Sequence, residues 1–251
     1  MIGAHGNIIP NTDSDVNISG AYILVSMTVR RKLGKCCLTA ETNSMNAILP
    51  LIATVTSIAA PVQFQTAPVY GNLFDGRTLT GWRATGNASI WTVKDGAIVG
   101  INDEKKSGST LYTKTKYEDF DLTLKVMWTG IVDSGVFLRK PELQVQLGQS
   151  NSLKVDMTCC FYTGTKGDIY PQAGRGKGVA RLLKEGQWNT LRVRARGDRF
   201  EVWLNGTKTT DYTNAAYPGS APIGLQVHPG LAMSVQFKDI VVKSAYGDSG
   251  E

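Results

Sequence analysis

FDLTLKVMW, residues 120–128, alternates without a break. Phe120, Leu122, Leu124, Val126 and Trp128 fall on one side, and Asp121, Thr123, Lys125 and Met127 on the other. A period of two places successive side chains on opposite faces of a strand, so this segment is a strand with one buried face. The same reading extends in both directions. Ile90–Val93 and Ala97–Ile101 flank Lys94-Asp95-Gly96, a strong hairpin signal. Leu191, Val193 and Ala195 alternate with Arg192, Arg194 and Arg196; after Gly197-Asp198 come Phe200, Val202 and Leu204. That is a second hairpin, with the arginines on its solvated face. Ile223–Val227 and Met233–Val242 supply the last strands. After Gln65 the chain breaks about every 8–12 residues at Gly, Asn or Asp, the spacing of a sandwich or barrel. No segment sustains a helical period. The fold class is therefore all-β, an antiparallel β-sandwich in one domain over residues 61–251. The tryptophans (Trp82, Trp91, Trp128, Trp188, Trp203) are mostly core by pattern.

Residues 1–60 read as a leader. Ala47–Ala60, AILPLIATVTSIAA, is an apolar run too short for a bilayer span of roughly 20 residues. Arg30, Arg31, Lys32 and Lys35 precede it, and the small residues Ser57, Ala59 and Ala60 close it. This is the pattern of a signal peptide over 27–60, with Met27 or Met45 as the start, and it predicts export to the periplasm or the extracellular space. The net charge is +6, of which the leader holds +1, leaving +5 on the rest. That modest excess, without a nucleic-acid motif, predicts no nucleic-acid partner. Cys36 and Cys37 lie in the leader. Cys159 and Cys160 are adjacent, where a disulfide would be strained, so two reduced thiols are expected.

Several chemistries are excluded. The histidines are His5 and His228, and His5 is in the leader, so a multi-histidine zinc site cannot form after residue 60. The sequence has no G-x-S-x-G elbow and no phosphate-cradling glycine loop. No metal or cofactor is expected. Carboxylates, amides, cations and His228 remain. Glu142, Gln144 and Gln146 share one face of a strand, with Arg139 just upstream. Two of those three are amides and cannot titrate, so this strand alone lacks the acid–base pair of an ordinary glycosidase. Amides do bind sugar hydroxyls. Lys154 and Asp156 share a face, as do Gln226 and His228.

Eight segments in order then resemble one family. They are Asn72–Gly76 with Leu79–Trp82 (NLFDG, LTGW), Trp91–Gly100 (WTVKDGAIVG), Leu111–Leu124 (LYTKTKYEDFDLTL), Ser134–Arg139 (SGVFLR), Gly186–Val193 (GQWNTLRV), Val202–Gly206 (VWLNG), Pro222–His228 (PIGLQVH) and Val235–Val242 (VQFKDIVV). They resemble the 3-keto-disaccharide hydrolase domain, whose fold is a concanavalin-A-like jelly roll. The resemblance implies a carbohydrate partner and a hydrolase or lyase acting on glycosides oxidised at C3. A C3 ketone acidifies the C2 hydrogen, so one base and one group for the enolate oxygen suffice. Many members show an acid in an E-x-Q pattern where this chain has Gln144-Val145-Gln146. The resemblance implies Arg139 as the enolate or hydroxyl clamp and Gln144 and Gln146 as sugar-positioning groups. It leaves Asp156, His228 or Glu142 as the base. Lys154 and Gln226 are further substrate-binding candidates. The alternative is a carbohydrate-binding sandwich without catalysis.

Overall fold

The computed structural model describes residues 71–139, 142–164 and 168–245. The leader, with its signal region, Met27, Met45, Cys36 and Cys37, lies outside the described residues, as does His5. Thirteen strands follow in order: β1 (Trp82–Gly86), β2 (Trp91–Lys94), β3 (Ala97–Ile101), β4 (Ser109–Tyr117), β5 (Phe120–Trp128), β6 (Asp133–Arg139), β7 (Leu143–Gly148), β8 (Phe161–Tyr162), β9 (Asn189–Arg196), β10 (Arg199–Leu204), β11 (Thr207–Thr213), β12 (Ala221–Val227) and β13 (Ser234–Ser244). Among the described residues a single α-helical turn, Val179–Leu182, lies between β8 and β9. One sheet has the order β1-β4-β12-β6-β7-β8, the other β11-β10-β9-β5-β13-β3-β2. Every paired strand is antiparallel.

The alternation read from β5 holds residue by residue. Phe120, Leu122, Leu124, Val126 and Trp128 are buried, while the residues between them are half-buried. They belong to one core cluster with Val136, Leu143, Val145 and Leu147 from β6 and β7, and with Leu225 and Val227 from β12. Each such aliphatic or aromatic side chain stabilises the fold by about 1.5–3 kcal/mol. Two-residue turns set the registers. Asp95-Gly96 (φ 50° and 74°) joins β2 to β3, and Asn205-Gly206 (φ 50° and 85°) joins β10 to β11. Positive φ at both positions matches the right-handed twist of the strands.

Two expectations change, and the reading of the tryptophans as mostly core holds for three of the five. The strand expected from Ile90 begins at Trp91, because Asn87 caps a 3₁₀ turn over Ala88–Ile90, its side chain accepting from Ser89 N at 3.1 Å. Trp188 and Trp203 lie outside the buried set that holds Trp82, Trp91 and Trp128. Trp203 alternates outward from Val202 and Leu204, with the Arg192 guanidinium 4.7 Å from its ring and Lys208 Nζ 5.2 Å away. The face that carries Arg192 and Arg194 is also an ion-pair lattice rather than free solvated cations. Arg192 and Arg194 both reach Asp121, at 2.6 and 3.0 Å. Cys159 and Cys160 are free buried thiols, as expected; burial pushes Cys159 up to about 12.

Arg199 of β10 donates two hydrogen bonds to Asp211 of β11, and this holds the Asp211 carboxyl down at about 2. A depressed folded value stabilises the fold above the ordinary carboxylate range, and that stabilisation is lost as pH falls from about 4 to about 2. The pair is well exposed, so its worth is at most about 1 kcal/mol. Asp211→Asn is expected to lower the denaturation midpoint at pH 6 and to leave it near that of the parent at pH 2. Equal losses at both pH values in parallel denaturant titrations would show that the charge contributes nothing.

Candidate functional site

The inward residues of β7 are Leu143, Val145 and Leu147, so Gln144 and Gln146 point out of the six-stranded sheet. Strand pairing then sets three rows across that outer face. In the first, Arg83, Tyr112, Gly224, Phe137, Gln144 and Tyr162 lie opposite one another in turn. In the second, Thr85 faces Thr110, Thr110 faces Gln226, and Gly135 faces Gln146. The register of Leu225 with Val136 puts Gln226 beside Gly135. In the third, Asp133 faces Gly148, and His228 N donates to Asp133 O at 3.3 Å. Rows on one face are about 7 Å apart along the strands.

Two glycines keep the floor flat. A Cβ on Gly135 would fall 1.7 Å from Gln144 Nε2, and one on Gly224 would fall 2.5 Å from Tyr112 Cε1. The amide and the phenol ring thus lie across bare backbone. Gln144 Nε2 donates to Gln226 Oε1 at 2.8 Å and approaches Gln146 Oε1 at 3.4 Å. Gln146 Nε2 donates to Asp133 Oδ1 at 2.7 Å, and Asn151 N donates to Asp133 Oδ2 at 2.6 Å. Among the described residues, neither Gln144 Oε1 nor Gln226 Nε2 takes part in a hydrogen bond. Gln144 is 1 % exposed and Gln226 half-buried, so the face holds one acceptor and one donor without a protein partner, with the donor the more open of the two.

His228 ends the strand at the rim, half-buried. Its Nδ1 lies 2.6 Å from the carbonyl oxygen of Pro229, and its Nε2 lies 3.9 Å from Asp133 Oδ2. A carbonyl can only accept, so Nδ1 carries the hydrogen and Nε2 of the neutral ring keeps a lone pair. Asn102 Nδ2 donates to the His228 carbonyl at 3.0 Å, and Gly230 N donates to Lys106 O, so the loop is braced on both sides of Pro229. Tyr170 and Tyr162 pack with ring centroids 5.4 Å apart in a small cluster with Met157, Cys160 and Ile169. Burial pushes the Tyr170 phenol up to about 12, so it remains a neutral hydroxyl.

Gln144, Gln146, Gln226 and His228 are thus brought together. Glu142 sits exposed in the turn before β7, and its charge reaches Tyr112 and Tyr162 on the same face. Three expected site residues do not join them. Arg139 is 2 % exposed and lies inside the sandwich. An extra residue in β6 between Phe137 and Arg139 makes Arg139 the partner of inward-facing Leu143. Its guanidinium lies 5.5 Å from the Phe120 ring and 5.8 Å from the Phe200 ring, and 3.5 Å from Asp119. A cavity of about 320 Å³ there is lined by Glu118, Asp119 and Asp198 as well as Arg139, a balance that disfavours an enolate. Asp156 is exposed and accepts from Thr158 N and Thr158 Oγ1, closing a turn. Lys154, also exposed, adopts φ 56° in a loop and reaches Asn151. Both lie beyond the end of β7, so strand alternation does not apply to them.

Sequence reasoning missed Asp133, Tyr112, Phe137 and Tyr162. Counting by twos back from Phe137 through Gly135 puts Asp133 on the outer face, and that signal was available. Among the described residues, no three His, Cys, Asp or Glu side chains gather to hold a metal ion, and no helix is long and apolar enough to cross a membrane.

A model of the 3-keto-alpha-glucoside-1,2-lyase-like domain family matches residues 70–243. A curated 3-keto-disaccharide hydrolase of Bacteroides thetaiotaomicron is 26 % identical over 173 residues, covering 62 % of this chain and 58 % of that protein. The chain therefore spans less than two thirds of that relative's length. A Parabacteroides distasonis protein described as a candidate glycosyl hydrolase has a similar solved structure, with a TM-score of 0.51 at 26 % identity over 72 % of this chain and 84 % of that one. A Bacillus subtilis protein with a galectin-like fold gives a TM-score of 0.50 at 12 % identity, over 71 % of this chain and 97 % of that one, a likeness of fold alone.

Proposed function

Since the chain belongs to the 3-keto-alpha-glucoside-1,2-lyase-like domain family, we propose that it is a carbohydrate-active enzyme cleaving the C1–O bond of glycosides oxidised at C3. The observation that carries this reading is a lone-pair nitrogen, His228 Nε2, at the edge of a row of amides, beside the buried carboxylate of Asp133. Nε2 takes the C2 proton. The electron pair left on C2 is delocalised onto the C3 oxygen and then forms C1=C2 as the C1–O bond breaks. The departing oxygen takes up a proton from water, and the imidazolium returns its own proton to solvent. Water adding across C1=C2 completes hydrolysis. Gln226 Nε2 and the amide of Gln144 bind the C3 oxygen and a neighbouring hydroxyl. Asp133 holds Gln146 through Oδ1 and stabilises the imidazolium once the proton has moved. Arg139, Asp156 and Lys154 have no part in this scheme. The apolar run at 47–60 supports export of the domain to the periplasm or beyond.

Purified protein should release the leaving group from an aryl 3-oxo-glucoside and leave the unoxidised glucoside untouched, because only the ketone acidifies C2. Release from neither, with binding still seen by calorimetry, would favour the second reading. That reading is a carbohydrate-binding sandwich, and it is motivated by the non-titrating amide at Gln144. Equal release from both would sink the elimination mechanism.

A further inference from the structure

The two sides of the amide row differ in chemistry. Toward β12's C-terminal end lie His228 and Asp133. Toward the other end lies the first row, with Tyr112, Phe137 and Tyr162, all half-buried. The rings of Tyr112 and Phe137 are 5.9 Å apart and tilted by 39°, with Tyr112 packed close against Gly224. Tyr162 stands next to Gln144 and is braced by Tyr170. The outward face of the other sheet shows what this protein does with a face left to water. There Asp121 pairs with Arg192 and Arg194, and Glu201 with Lys208, around Trp203. A patch of tilted aromatic rings, backed by a glycine and continuous with an amide row, is a surface that an aryl ligand covers. Burial and then the Glu142 carboxylate raise the Tyr112 phenol, so it is a neutral ring at any working pH.

We propose that Tyr112, Phe137 and Tyr162 form the aglycone subsite, and that it takes a flat, apolar, uncharged aryl or arylmethyl group carried on C1. The inference rests on the amide row being the sugar subsite. The row spacing of about 7 Å is close to the step from the centre of a pyranose ring to the ring of an arylmethyl aglycone. A small aliphatic aglycone would leave Tyr112 and Phe137 uncovered.

The test compares benzyl and methyl 3-oxo-glucosides. Benzyl alcohol and methanol have nearly equal acidity, so leaving-group ability does not decide the ratio. The parent protein is expected to favour the benzyl compound by roughly tenfold or more in kcat/KM, as one ring contact of the usual strength would give. Tyr112→Ala and Phe137→Leu should each bring the ratio down toward one. A ratio near one in the parent, or one unmoved by both variants, overturns the subsite. If neither compound is turned over, the proposed function fails, and calorimetric binding of the unoxidised benzyl and methyl glucosides takes over the test. Tighter benzyl binding that is lost in Tyr112→Ala then supports the subsite in a binding protein. Equal binding overturns it.

Discussion

His228→Gln is expected to lower kcat on a 3-oxo-glucoside by about 10²–10⁴-fold, the usual worth of a positioned general base. The melting temperature should hardly move. The ring is half-buried and its described bonds are a contact with the adjacent carbonyl of Pro229 and a long approach to Asp133; removing such a group changes stability by about 0.5 kcal/mol. KM should change little, since the amides make the ground-state contacts. A second readout separates base from binder. Run in deuterated water without a good leaving group, the parent should exchange the C2 hydrogen of a 3-oxo-sugar, and His228→Gln should not. Asp133→Asn keeps the shape and the acceptor for Asn151 N but removes the charge beside Nε2 and the acceptor that Gln146 Nε2 uses. It should cost about 10²-fold in kcat, the scale of one preorganised electrostatic group. Full exchange and turnover in His228→Gln would remove the histidine from the mechanism and leave Glu142 as the carboxylate to test.

The sequence made the sandwich legible because its strands are long and half-buried. Nine residues of clean alternation in β5 leave one assignment, and the Asp95-Gly96 turn fixes its hairpin without further information. The outward placement of Gln144 and Gln146 is legible for the same reason, since β7 alternates strictly between core and outer face. Arg139 was misplaced because its position depends on one extra residue in β6. A bulge reverses the face of everything after it, and Ser-Gly-Val-Phe-Leu-Arg carries no mark of where the extra residue sits. Asp156 and Lys154 differ from the expected face for another reason: they lie past Gly148 in a loop where φ at Lys154 is positive, and period-two alternation ends with the strand. The aromatic row was invisible because Tyr112, Phe137 and Tyr162 come from three strands separated in sequence. Each residue looked like an ordinary strand former, and only sheet order β4-β12-β6-β7-β8 makes them neighbours.

Arg139→Ala should act on stability and not on chemistry. The side chain is among the largest fully buried ones in the protein. Its guanidinium reaches Asp119 at 3.5 Å and the carbonyls of Tyr117 and Leu138 at 3.4 and 3.5 Å, and its Nε is buried with no hydrogen-bond partner. Burial lowers the affinity of this group for its proton, and the carboxylates of Asp119 and Glu118 oppose that. The group is therefore costly to bury and needs its acid. Truncation empties the space over Phe120 and Phe200 and deprives the 9 %-exposed Asp119 side chain of its cation. The expected loss is about 3–5 kcal/mol, a fall of roughly 10 °C in a domain of this size. Arg139→Met keeps the stem against the two rings and abolishes the unsatisfied donor. Asp119 also accepts from Gly197 N at 2.9 Å, so it is not left bare. Met should therefore recover more than half of the loss. Well below the melting point, both variants should turn over a 3-oxo-glucoside at nearly the parental rate per folded molecule, because the bulge has turned residue 139 away from the amide row. A stable Arg139→Met protein with its kcat gone would reverse this assignment: the arginine would be catalytic, and the chemistry would belong to the cavity it lines with Glu118, Asp119 and Asp198.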